Sequence, residues 1–282
     1  MIQRLAIVGV GLLGGSVAKA ARSAELAREI VGVGRDEARL CAPLHDGALD
    51  RATTNLEVGV RDADFVLLAV PVLAIEALLP RVWRAVADGV TVTDVGSTKA
   101  AIVRRADELS EGRALAFVGS HPMAGSEQSG YGAARTDLFR AATVVVTPTD
   151  RTEPHAVKAV TGFWEAMGAR VSALDPETHD AVVAAISHLP HLVAYALVDG
   201  VARFEPAALE LAARGFKDTT RIAASDPDVW AEIFQANRAP LAASLDAFRR
   251  ALAELEHAIT RGSAAELRAA LARIKAARET IR

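Results

Sequence analysis

Residues 5–16 read LAIVGVGLLGGS, and the reading of this stretch decides the fold. An apolar, β-branched run leads into Gly9, Gly11 and Gly14, spaced G-x-G-x-x-G, and then into the helix-forming SVAKAARSA. Strand, glycine turn and helix in that order are the context in which this spacing carries meaning. Gly9 permits a tight turn, Gly11 lets a bound group approach the backbone, and Gly14 lets helix and strand pack closely. Free N–H groups and the dipole at the helix N-terminus then favour an anion, here the pyrophosphate of a dinucleotide.

The next apolar run outward, EIVGVG at 29–34, is where such a fold reads the adenosine ribose. An acidic residue there selects NAD, whereas this chain has Gly34 followed by Arg35. A small residue removes the charge that repels a 2′-phosphate, and the arginine can pair with it, which points to NADP over NAD. Asp36 is the alternative ribose acceptor if the register is displaced.

Further runs follow at DFVLLAVP (64–71), VTVTDVG (90–96), ALAFVGS (114–120), TVVVTP (143–148) and ARVSAL (169–174). Segments of helical length, such as VLAIEALLPRVWRAVADG, lie between most of them. Strands apolar throughout are buried on both faces, so the pattern predicts a Rossmann-type, doubly wound, mostly parallel sheet in an α/β fold. After Leu174 every apolar pattern has helical spacing, which predicts an all-helical C-terminal domain. The division is therefore a dinucleotide-binding domain at 1–174 and a helical substrate-binding and dimerisation domain at 175–282. Asp175-Pro176 reads as a helix start. Leu241, Leu245, Phe248, Leu252, Leu255 and Ile259 form an a/d seam. Ser263 and Glu266 read as a capping box before a stripe of Leu267, Leu271 and Ile274. The seam either fills one helical core or meets a second subunit, and the second reading, a homodimer, is preferred.

Bulk properties bound the function. The chain has 282 residues, 51% hydrophobic and 24% charged, with a net charge of −3. No basic field is available for nucleic acid. The single cysteine, Cys41, excludes a disulfide framework or a cysteine-rich metal site. The N-terminus resembles neither a signal peptide nor a membrane span, and no long uninterrupted apolar run follows, so a cytoplasmic protein without membrane contact is expected.

Residues 119–130 read GSHPMAGSEQSG. In open α/β sheets, ligands bind beyond the carboxyl ends of the strands. His121 lies there, as do Ser97 in DVGSTK and Pro71 in AVPV. A histidine so placed can take a proton from a hydroxyl near neutral pH, and a serine within reach can orient it. His188 and His191 are three residues apart on one helical face, but no third ligand stands at a matching interval, so no metal is expected. Pro190 removes one N–H and frees the carbonyl of Ile186, which predicts a kink.

GVGLLGGS, DVGSTK, GSHPMAGSEQSG, HDAVVAAISHLPHLVAYAL and GFKDTTRIAASDPDVW occur in this order. Together they resemble the prephenate dehydrogenase family, with its arogenate and cyclohexadienyl variants, from the first strand to about residue 238. The later helices match only in character, and no regulatory or chorismate mutase domain is expected. The resemblance implies oxidation of a cyclohexadienol with loss of the ring carboxylate as CO2. It makes His121 the base for the C4 hydroxyl and Ser97 its hydrogen-bonding partner. It places Arg221 on a substrate carboxylate, with Lys217 as a further cation, Asp218 orienting Arg221, and Ser225 and His191 near the substrate. His188 reads as a satisfied packing residue, and Trp230 as a core anchor at a family position near the site. Cofactor contacts are expected from Gly9, Gly11, Leu12, Leu13, Gly14, Gly34, Arg35, Val70 and Pro71.

Three rivals remain. Arogenate in place of prephenate exchanges a keto oxygen for an amine, and a carboxylate such as Glu127 would favour the amine if it lay near that end, where the sequence does not place it. A β-hydroxyacid dehydrogenase uses a lysine in the long interdomain helix, and none occurs between Pro176 and Arg203. A catalytically silent nucleotide sensor has no need of His121 together with Arg221.

Overall fold

The computed structural model describes residues 1–110, 116–125 and 128–281. The order is β1 (Ile2–Val8), α1 (Leu12–Ser23), β2 (Ala27–Val33), α2 (Glu37–His45), β3 (Arg51–Thr53), α3 (Leu56–Val60), β4 (Phe65–Leu68), α4 (Val72–Ala85), β5 (Thr91–Asp94), α5 (Ala100–Leu109), β6 (Ala116–Pro122), β7 (Thr143–Thr147), α6 (Pro154–Ala166) and β8 (Arg170–Ala173). Only helices follow: α7 (Pro176–Val183), α8 (Leu189–Phe204), α9 (Arg214–Thr220), α10 (Pro227–Ala236), α11 (Arg238–Thr260) and α12 (Ala264–Glu279).

The sheet runs β3-β2-β1-β4-β5-β6-β7-β8, parallel except where β7 pairs antiparallel with β6. The strand order reverses at β1, which makes a crevice at the carboxyl ends of β1 and β4. Each face of the sheet carries its own core. Leu5 and Ile7 pack with Val17 of α1 and with Phe163 and Trp164 of α6. Ala6 and Val8 pack on the other side with Ile75 and Leu79 of α4 and Ile102 of α5. Burial on both faces is why these strands read as unbroken apolar runs. The sequence pattern missed β3, a three-residue edge strand, RAT, that pairs with β2 on one side only and has no apolar run. The first two residues of the run at 114–120, and Glu127, lie outside the described residues.

By packing, the chain forms two units, Met1–Asn237 and Arg238–Arg282. In the second, α11 packs on α12, and the capping box is present: Ser263 N–H donates to Glu266 Oε2 (2.6 Å) and Glu266 N–H to Ser263 Oγ (3.2 Å). In the first, α7 and α8 run on through a π turn at Ala184–His188, just before Pro190. The disturbance expected at that proline is absorbed as a widened turn. Residues 176–204 form, among the described residues, one helix long and apolar enough to cross a membrane, with mean hydropathy 1.8 and 22% of its window buried. That overturns the expectation that no such run follows the N-terminus. The run holds buried His179, Asp180 and His188, which serve the site below.

Candidate active site

The parallel register carries Val8, Leu68 and Asp94 into one row, with Thr93 opposite Val118 in the next strand. Gly9, Val70, Ser97 and His121 therefore all lie at the carboxyl edge of the sheet.

At the crevice, Gly9 has φ +96°, and a Cβ there would lie 2.3 Å from the Ala69 carbonyl oxygen. A Cβ on Gly14 would lie 1.9 Å from the Gly9 oxygen, so the helix rests on the turn as the sequence predicted. Gly11 is different: a Cβ there would meet no protein atom within 4 Å. The glycine at this position leaves open space, and the N-terminus of α1 receives no side-chain cap. Backbone approach with uncapped N–H groups suits a pyrophosphate. Leu12 and Leu13 are half-buried against the core, while Val70 and Pro71 follow β4 directly. β2 ends at Val33, so Gly34 and Arg35 stand at its carboxyl end. Arg35 is exposed, and among the described residues it makes no hydrogen bond or ion pair. Asp36, the alternative ribose acceptor, caps α2 through the Ala38 N–H (2.9 Å). These residues fit a dinucleotide.

His121 is buried near the end of β6, which is pinned beneath it. Fully buried Lys99 pairs through Nζ with Asp94 and donates to the Ser120 carbonyl (2.9 Å). Ser120 Oγ accepts from Trp164 Nε1 (3.1 Å). His121 Nδ1 meets His179 Nε2 at 2.9 Å, and His179 Nδ1 meets Asp180 Oδ1 at 2.8 Å. Burial, with His179, Lys99 and His188 around it, holds the His121 ring well below the usual imidazole range. A base titrating near the working pH was expected; burial and the neighbouring groups instead favour the neutral ring. The orienting bond expected from Ser97 is also supplied elsewhere: among the described residues Ser97 makes no bond to His121, and His179 takes that place. His121 Nε2 has no hydrogen-bond partner among the described residues.

A second group of rings, beginning at His188, leads towards the cation. His188 is buried, with Nδ1 facing Asn237 Nδ2 at 3.0 Å, and burial pushes it down to about 4. Trp230 packs edge-on to His188 and stacks on His191, with centroids 3.4 Å apart. His191 Nδ1 donates to the Ser187 carbonyl (2.9 Å). Burial chiefly, and the charge of Arg221, hold His191 below its usual range, which brings the guanidinium into the same neighbourhood. Arg221 opens a short 3-10 turn after α9 and is exposed, as is Lys217. Asp218 pairs with Arg214 (3.3 Å), one helical turn back along α9. Ser225 accepts from Tyr195 Oη through its carbonyl (3.0 Å), and Asp226 caps α10.

Sequence reasoning missed Asp94, Lys99, His179, Asp180 and Asn237 as parts of the site. The signal was present for two of them. An aspartate and a lysine five apart in DVGSTK, amid small and apolar residues, mark a pair that burial has to neutralise.

Two family models cover the chain: prephenate dehydrogenase, nucleotide-binding domain, at residues 17–173, and prephenate dehydrogenase, dimerization domain, at 175–273. The chain belongs to the prephenate dehydrogenase family. It is 35% identical over 260 residues to a prephenate dehydrogenase of Bacillus subtilis, spanning 91% of this chain and 69% of that protein. It is 34% identical to a cyclohexadienyl dehydrogenase of Zymomonas mobilis, over 92% of this chain and 89% of that one. A crystal structure of prephenate dehydrogenase from A. aeolicus, in complex with hydroxyphenyl propionate and NAD+, superposes with a TM-score of 0.93 at 34% identity. The superposition covers 100% of this chain and 99% of that one. This family member is thus an NAD(P)-dependent dehydrogenase acting on a small molecule, and its helical part is the family's dimerization domain.

Proposed function

We propose that this prephenate dehydrogenase converts prephenate to 4-hydroxyphenylpyruvate with His121 as the base and Arg221 as the carboxylate anchor. Bound NAD(P) supplies the hydride acceptor. His121 Nε2 takes the proton of the C4 hydroxyl, and release of the ring carboxylate as CO2 then leaves an aromatic ring. Aromatisation drives that loss, so no residue need act as an electron sink. The carrying observation is a buried imidazole at the same carboxyl edge of the sheet as the glycine turn, held towards its neutral form, with one ring nitrogen tethered and the other left over. Arg221 suits a planar carboxylate, and the stacked His191–Trp230 pair offers an aromatic wall beside it. Residues 1–174 are assigned to the dinucleotide and residues 175–282 to substrate and pairing.

Arg35, exposed and unengaged after Gly34, supports NADP over NAD. A second copy of the chain covers the apolar face of the helix 176–204, which one chain leaves 22% buried. The protein is soluble, and its place is the cytoplasm.

The test is turnover of prephenate and of arogenate, each with NAD and with NADP, followed by absorbance of the reduced nicotinamide. Prephenate with NADP is expected to give the highest kcat/KM. His121→Asn is expected to lower kcat by about 10²–10⁴-fold with little change in KM. Equal kcat in that variant removes the base from His121.

A further inference from the structure

The proposed reaction needs a lone pair on His121 Nε2, yet nothing in the ring itself chooses which nitrogen carries the proton. From the hydrogen-bond chain behind it, we infer that His179 and Asp180 are positioning residues that fix the tautomer of His121 and leave Nε2 as the free base. The inference rests on the function proposed above, but its first readout does not.

The argument starts at Asp180. Its carboxylate already accepts two backbone N–H groups at the start of α5, from Lys99 (2.7 Å, Oδ1) and Ala100 (3.0 Å, Oδ2). With a donor on each oxygen, both act as acceptors, and their place is set by the helix end. Oδ1 also faces His179 Nδ1 at 2.8 Å. A lone pair on that nitrogen would point at an anionic oxygen, so Nδ1 carries the hydrogen. A neutral His179 then has its lone pair on Nε2, which faces His121 Nδ1 at 2.9 Å. That contact can only be a bond donated by His121 Nδ1–H. A neutral His121 then has its second lone pair on Nε2.

A doubly protonated His179 would reverse the last two steps, because it would donate to His121 Nδ1 and drive the hydrogen onto Nε2. One hydrogen on Nδ1 already meets Asp180 and a lone pair on Nε2 already meets His121, so a neutral, fully buried His179 satisfies both contacts. The groups that face His121 are Lys99 from the turn before α5, His179 from α7 and His188 from the π turn, and none of them is an anion that would favour a further proton. Asn237 holds the arrangement from the far side, donating to the Asp180 carbonyl (2.8 Å). When His121 accepts the substrate proton on Nε2, its Nδ1–H stays on His179, so the imidazolium keeps its orientation and gains a partly compensating dipole.

The experiment uses the full-length enzyme with ¹⁵N-labelled histidine. Without ligand at neutral pH, the His121 Nε2 resonance, assigned by its loss in His121→Asn, is expected in the unprotonated range. Asp180→Asn removes the anion that holds the hydrogen on His179 Nδ1, and is expected to move that resonance towards the protonated range as the two tautomers mix. The same variant is expected to lower kcat on prephenate by about 10²–10⁴-fold while KM changes less than about threefold. Because Asp180 also holds the start of α5, Asp180→Asn can fail to fold, and two changes at His179 cover that case. His179→Gln keeps a donor towards Asp180 and an acceptor towards His121, and is expected to retain kcat within about tenfold, whereas His179→Leu falls with Asp180→Asn. A protonated Nε2 in the unaltered enzyme overturns the inference, as does equal kcat in His179→Gln and His179→Leu. Failure to turn over prephenate sinks the proposed reaction instead, since the resonance is read without substrate.

Discussion

Lys99→Met probes the frame beneath the base with two independent readouts. Lys99 and Asp94 are both fully buried and paired, and neither reaches solvent. Removing the ammonium leaves a carboxylate inside the protein with only the N–H groups of Gly96 (2.8 Å) and Ser120 (3.0 Å). Breaking a buried pair from one side costs about 3–5 kcal/mol, because the remaining charge is uncompensated. At about 2 °C per kcal/mol for a chain of this size, Tm is expected to fall by roughly 6–10 °C. A neutral pair removes the stranded charge, so Lys99→Met with Asp94→Asn is expected to cost about 1–3 kcal/mol less than the sum of the single changes. Lys99 is also one of the groups that keep His121 unprotonated. With its positive charge gone, the imidazolium is repelled less, and the acid limb of the kcat/KM profile moves to higher pH. Thermal unfolding followed by circular dichroism measures the first effect, and initial rates across pH measure the second. A Tm within about 2 °C of the parent, or an unmoved acid limb, refutes the picture of a charged pair holding the base.

Three further outcomes are expected. Arg221→Ala removes a charge-assisted carboxylate contact and raises KM for prephenate about 10- to 100-fold with little loss of kcat; an unchanged KM moves the anion site elsewhere. The glycine turn separates two causes: Gly9→Ala, strained at φ +96° and against Ala69, lowers stability by about 2–4 kcal/mol, whereas Gly11→Ala, with open space around it, leaves Tm in place and weakens NAD(P) binding in a fluorescence titration. If Gly11→Ala binds the dinucleotide normally, the open space is not its seat. His188 takes up its proton near 6.5 in the unfolded chain and at about 4 in the folded one, so the unfolded state holds more protons between those values. Stability from this ring is complete above pH 6.5 and declines by up to about 3 kcal/mol towards pH 4, which urea unfolding of the parent and of His188→Gln across pH resolves.

Much of the fold was legible because it rests on local pattern. The glycine turn, the apolar strands, the Pro176 helix start and the Ser263–Glu266 box are each written within a few residues. The edge strand β3 was not, since one-sided pairing leaves no apolar run. In the site, His121 announced itself by its place after a strand, but its partner lies 58 residues on, and the amides that hold Asp180 lie about 80 residues before it. Such bonds follow from how α7 meets α5, which no spacing records. The Asp218–Arg214 pair went unread for the opposite reason: a turn of helix offers each charge two directions, and the family motif drew the eye to the later one.

The bond from His121 to His179 also bears on how this enzyme could be rebuilt. A cassette ending at residue 174 would carry the glycine turn and the imidazole, yet leave behind the side chains that aim it. Recombining halves from different relatives therefore risks silent hybrids that bind nucleotide and fold well, unless the graft brings along the first two turns of α7.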